Sequence, residues 1–142
     1  MLSRWKNPKL FLALAVLALA LALGCAQQSG SGGTQQVSPE RAVFTALDTA
    51  QQLYTLGMTT AATLRDTKVI TMAQYQQIET VAKKFYDSWQ VAFKEAQTWA
   101  SMKPSPDKDS AYAQVERLMA AYSANLTDLT TLVGSFSFQK KK

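Results

Sequence analysis

Apolar positions between residues 38 and 134 recur with the period of an α-helix. Val43, Leu47, Ala50, Tyr54, Gly57, Ala61 and Leu64 follow one another at alternating spacings of four and three, which puts them on one helix face. Tyr75, Ile78, Ala82, Phe85, Trp89, Ala92, Ala96 and Trp99 form a second such stripe, and Tyr112, Val115, Met119, Tyr122, Leu126, Leu129 and Val133 a third. Phe44, Leu53, Val81, Tyr86, Phe93, Leu118 and Leu132 flank the stripes. Such a widened face suits a globular bundle better than a two-stranded coil.

End signals divide the stripes into three helices, over 38–66, 72–103 and 108–133. Ser38, Pro39 and Glu40 read as an N-cap, a first helical residue and a charge that complements the helix dipole. Thr71 and Gln74 have the spacing of a capping box, with Ile70 and Tyr75 placed as its hydrophobic staple. Pro104 and Pro106 forbid the second helix from continuing. Asp107 or Asp109 suits the cap of the third, and Gly134 its stop. A mean period of 3.5 predicts left-handed packing near +20°, and short connections predict antiparallel neighbours. The expected fold is all-α, an up-down-up antiparallel three-helix bundle.

Upstream the pattern changes. Leu10 to Leu23 is an unbroken apolar run preceded by Arg4, Lys6 and Lys9. Its roughly 14 residues span about 21 Å as a helix, short of a bilayer core of about 30 Å. A basic start, a short apolar run and small residues after it describe a secretory signal peptide. The run ends Leu21-Ala22-Leu23-Gly24-Cys25-Ala26. This resembles the lipobox of bacterial lipoproteins. Gly24 and Cys25 match its end, while Ala22 stands where that class prefers Leu. The resemblance implies a diacylglycerol group on the Cys25 sulfur, cleavage between Gly24 and Cys25, and attachment to a membrane through acyl chains. Ala20-Leu21-Ala22 also offers a general signal-peptidase site, which would leave Cys25 a free thiol. In a Gram-negative source the resemblance implies an outer-membrane protein facing the periplasm, because Ala26 replaces the aspartate of inner-membrane retention.

Residues 1–24 are thus expected to be a leader and 25–37 an acylated cysteine with a flexible tether. Gln27 to Gln36 contains only Gln, Gly, Ser and Thr and has a root-mean-square reach of roughly 17 Å. The bundle occupies 38–134 and a basic tail 135–142.

Charge and chemistry narrow the function. The net charge is +5, but Arg4, Lys6 and Lys9 lie in the leader and Lys140, Lys141 and Lys142 in the tail. The remainder carries nine basic and ten acidic residues, which argues against a nucleic-acid partner. One cysteine and no histidine leave neither an internal disulfide nor a zinc site of Cys/His type. Asp107-Lys108-Asp109 lacks the further acid and the glycine of a calcium loop, and Asn125-Leu126-Thr127 is a glycosylation triplet inside a helix. Asp48, Glu79, Asp87, Glu95, Glu116 and Asp128 are scattered over solvent faces, without a nucleophile and base in one place. No catalytic residue, metal or cofactor is expected.

Three features invite a binding role. Gly57 and Ala61 form a small-residue notch suited to close helix approach. The aromatic residues lie mostly at core spacing, though Tyr86 and Phe93 sit beside the second stripe and are candidates for a partner contact if the third helix leaves them bare. Lys140, Lys141 and Lys142 are candidates for electrostatic attraction to phosphate-bearing lipid or polymer. The expected function is that of an envelope lipoprotein with a non-catalytic interaction domain for an unidentified envelope protein or polymer. Two alternatives stand beside it: a phage-encoded lipoprotein acting in superinfection exclusion, and a carrier of a small apolar ligand.

Overall fold

The computed structural model describes residues 37–138. The leader, Gly24, Cys25 and the tether therefore lie outside the described residues, as do Lys140, Lys141 and Lys142. The described residues belong to one compact unit of three helices: α1 Pro39–Asp66, α2 Met72–Ser101 and α3 Pro106–Ser137. The all-α three-helix bundle is the observed fold.

Each helix begins at a side chain that satisfies a free backbone N–H. Ser38 Oγ accepts from the Arg41 N–H (3.3 Å), with Pro39 opening α1. Both bonds of the α2 capping box are present: Gln74 N–H to Thr71 Oγ1 at 3.2 Å, and Thr71 N–H to Gln74 Oε1 at 2.8 Å. The cap of α3 differs from the expected aspartates. Ser105 Oγ accepts from the Lys108 N–H (3.2 Å), and Pro106 opens the helix. A proline has no N–H to waste in a first turn, so Pro106 starts α3 two residues earlier than expected. Asp107 and Asp109 fall in the first turn, where they face the positive end of the dipole.

The helix ends bring two further corrections. The second helix stops at Ser101 rather than Lys103, and Met102 is already extended. Pro104 disfavours helical geometry at Lys103, so the turn closes ahead of it. The third helix runs through Gly134 to Ser137. Phe136 is buried in the core, and burying that ring holds the last turn past a residue that often ends helices.

The end of α1 is a Schellman closure. The Val69 N–H reaches Leu64 O and the Lys68 N–H reaches Arg65 O, both at 2.9 Å. Leu64 and Val69 pack against the same core cluster, the hydrophobic contact that accompanies this motif. The motif needs a left-handed residue, usually Gly. Here it is Lys68, with φ 58°.

The helices alternate in direction. Lys108 at the start of α3 bridges to Glu40 at the start of α1 (3.0 Å), and the Arg65 guanidinium at the end of α1 lies 4.5 Å from the ring centre of Tyr75 at the start of α2. Inside, the three stripes become two clusters. One, towards the start of α1, holds Leu47, Phe85, Trp99, Val115 and Tyr122. The other, towards the end of α1, holds Ala61, Ile70, Ile78, Leu129, Val133 and Phe136. Contact between α2 and α3 is more extensive than either makes with α1. Among the described residues no helix is long and apolar enough to cross a membrane.

Candidate functional site

The side chains with chemistry to offer fall into three places: a line of rings between α1 and α2, a depression at the bundle end where α1 starts, and the opposite end.

The ring line is built by spacing. Tyr86, Trp89 and Phe93 are three and four residues apart and share one side of α2. Tyr86 stacks on Trp89 (centroids 6.2 Å) and Trp89 on Phe93 (5.2 Å). From α1, Phe44 meets Phe93 edge-on at 6.1 Å, and Tyr54 approaches Tyr86 at 5.9 Å. The helix that covers this side of α2 is therefore α1. Phe93 is half-buried against it, and Tyr86 remains 37% exposed. Burial, reinforced by Tyr86 and Tyr75, holds the Tyr54 phenol above its ordinary pKa.

Polar bonds fasten these rings. Trp89 Nε1 donates to Leu47 O, in the interior of α1, at 2.9 Å. A buried indole needs such an acceptor, but the sequence does not say which carbonyl supplies it. Gln51 lies on α1 between Leu47 and Tyr54, and its Oε1 is buried without a hydrogen-bond partner. On the other flank of α2, Asn125 Nδ2 donates to Ser88 Oγ (2.9 Å), and Ser88 Oγ donates to Phe85 O (2.8 Å). Asn125, read from the sequence only as part of a triplet, thus ties α3 to α2.

At the start of α1, an open depression of about 500 Å³ is lined by Pro39, Glu40, Trp99, Pro104, Ser105, Pro106, Lys108, Asp109 and Tyr112. Trp99 and Tyr112 form its aromatic floor, with centroids 4.9 Å apart. Lys108 Nζ lies 5.7 Å from the Trp99 ring centre while paired to Glu40. The Glu40 carboxyl is held below its ordinary pKa, first by a hydrogen bond from its own backbone N–H and then by Lys108. Burial, with Glu116 nearby, raises the Tyr112 phenol. The one cation lining the depression, Lys108, is already matched by Glu40.

The opposite end differs. Met72 is 60% exposed and Phe138 is 69% exposed, both large and apolar. Lys68, four residues before Met72, is also exposed, and Arg65 is engaged by Asp66 at 2.9 Å. Its guanidinium pKa is raised, chiefly by the hydrogen bond to Asp66.

The Gly57 and Ala61 notch faces α3. Ala61 is fully buried, and a Cβ built on Gly57 would meet Leu129 Cδ2 at 3.9 Å, an ordinary contact. Leu129 fills the notch, but the space does not demand glycine. The acids Asp48, Glu79, Asp87, Glu95, Glu116 and Asp128 are all exposed. Among the described residues no group of three or more His, Cys, Asp or Glu side chains is arranged to hold a metal ion. No family model, curated protein or solved structure matches the chain.

Proposed function

We propose that the chain is a membrane-anchored envelope lipoprotein whose three-helix domain works by binding rather than by catalysis. The observation that carries this reading is Leu21-Ala22-Leu23-Gly24-Cys25 at the end of a short apolar run behind a basic start, with Cys25 the only cysteine of the chain. Acylation there would hold the protein on a membrane, because each buried CH₂ contributes about 0.8 kcal/mol and two or more chains make attachment stable. The polar tether would let the bundle reorient close to that surface. The bundle itself supports a binding role through exposed apolar side chains and self-matched polar groups.

The test is chemical. Cells expressing the chain with a labelled fatty acid should yield a labelled product, and Cys25→Ser should remove the label. Inhibiting the lipoprotein peptidase should make uncut precursor accumulate. Unlabelled product, or processing that ignores the inhibitor, would refute the anchor. Crosslinking in intact cells addresses the binding role, which recurrent capture of background proteins alone would count against.

A further inference from the structure

We propose that the flank shared by α1 and α3 is a self-association surface, where a second copy of this chain docks about a two-fold axis. The inference goes beyond the proposed function and holds whether or not Cys25 is acylated.

Helical spacing builds the flank. Gly57 faces Leu129 of α3. Leu53 and Thr60, four residues before it and three after, share that side of α1. Thr49 and Leu56 neighbour them towards solvent. On α3, Asn125 is turned to α2, where it bonds to Ser88. Ser123 lies two residues back, on the opposite side of the helix and next to α1, and Met119, Thr127 and Thr130 continue its row. Leu56, Ser123 and Thr127 are exposed, and Leu53, Thr60, Met119 and Thr130 are partly so.

This flank is free of charge. From Thr49 to Leu64 α1 has no charged residue, and from Leu118 to Phe138 α3 has only Asp128, which is turned away from the Ser123 row. Charge collects instead on the outward side of α2, where Glu79, Lys83, Lys84, Asp87, Lys94 and Glu95 are all exposed. Two apolar residues of equal exposure show the contrast. Leu56 and Val91 are each 51% exposed. The neighbours of Val91 three and four residues away are Asp87, Ser88, Lys94 and Glu95, whereas those of Leu56 are Gln52, Leu53, Thr59 and Thr60. Loss of charge around apolar centres is the compositional mark of an interface core.

The polar groups on the flank are ready for burial. The hydroxyls of Thr49, Thr60, Thr127 and Thr130 donate to Thr45 O, Leu56 O, Ser123 O and Thr127 O at 2.9, 2.9, 3.0 and 3.0 Å. Covering them therefore strands no hydroxyl donor, and their methyl groups are left for contact.

Charge and area select the occupant. A two-fold pair sets the same patch against itself, and a patch without charge does so without repulsion. A differently charged partner would gain nothing from it electrostatically. From Ala46 to Thr63 the flank runs about 26 Å, and two helices side by side are about 20 Å across. Two such footprints sum to roughly 1,000 Å², the area a specific interface should clear. The expected pair is a weak one.

The experiment uses the chain from Cys25 onward with Cys25→Ser, which excludes disulfide-linked pairs. Sedimentation velocity up to about 1 mM registers even weak association. A monomer–dimer equilibrium that barely changes with salt is expected, because uncharged surfaces are not screened. Leu56→Glu should raise the dissociation constant at least about thirtyfold, since each pair carries the change twice at its centre. Val91→Glu, at equal exposure, should leave it unchanged, and circular dichroism should show both variants folded. A chain that stays monomeric throughout would overturn the proposal. So would a dimer that Leu56→Glu leaves intact, or one that rising salt dissolves. Monomeric chain whose crosslink to a different envelope protein is lost in Leu56→Glu would overturn it by making the partner another protein.

Discussion

Replacing Gly57 by Ala should make the bundle more stable. Gly57 lies in the interior of the 28-residue helix α1, where glycine costs roughly 0.5–1 kcal/mol relative to alanine through backbone entropy. That gain is usually forfeited where glycine sits because nothing larger fits. Here the added methyl would rest 3.9 Å from Leu129 Cδ2, close enough for dispersion contact and too far to force either helix aside. Partial burial of the methyl adds a few tenths of a kcal/mol. The total is about 1 kcal/mol, or a rise in Tm of about 4–8 °C for a domain of this size. Thermal melts followed by far-UV circular dichroism measure it. Gly134→Ala is the comparison: nothing beyond its own local helix backbone lies within 4 Å of its Cβ position, and it sits in the last turns of α3, so a smaller rise is expected. A lower Tm for Gly57→Ala would refute the reasoning and show that α1 and α3 need the glycine to approach.

Lys68→Gly should stabilise the domain by roughly 1 kcal/mol, since Lys68 holds a left-handed φ of 58° that costs other L residues about that much; an unchanged denaturation midpoint would mean the lysine is unstrained. Trp89→Phe should lower stability by about 1–2 kcal/mol through loss of the 2.9 Å bond to Leu47 O and part of the ring, seen as a shifted urea midpoint at constant slope. Burial pushes the Tyr122 phenol from 10.0 up to about 12. The folded chain then keeps a proton that the unfolded chain loses between those values. Stability contributed by the neutral phenol is therefore intact below pH 10 and lost as pH rises through about 12, by on the order of 2 kcal/mol. Tyr122→Phe should flatten that part of the stability–pH curve, and an identical decline in both proteins would contradict it.

The ring line shows how far pattern reading extends into a binding surface. Tyr86 and Phe93 stand out in the sequence because they fall beside the α2 stripe. Their exposure depended on α1, whose Phe44 takes up one ring and whose Tyr54 approaches the other. Helical periodicity says which side of a helix is apolar, but it does not say which neighbour turns towards it. Lys108 illustrates the same limit for charge: it reads as a lone cation among aspartates, yet its partner is Glu40, 68 residues away.

Local physics was enough for the three helices, the side each one buries and two of the three caps. Period, cap chemistry and proline stereochemistry act within a few residues and are written in the order of the chain. The ends of α2 and α3 needed more. Pro104 closes α2 early, and the burial of Phe136 carries α3 past Gly134. Tertiary structure alone decided that Trp89 would bond to α1 and that Met72 and Phe138 would stay in solvent. These features depend on contacts between segments far apart in sequence, and such contacts have a location only once the chain has folded.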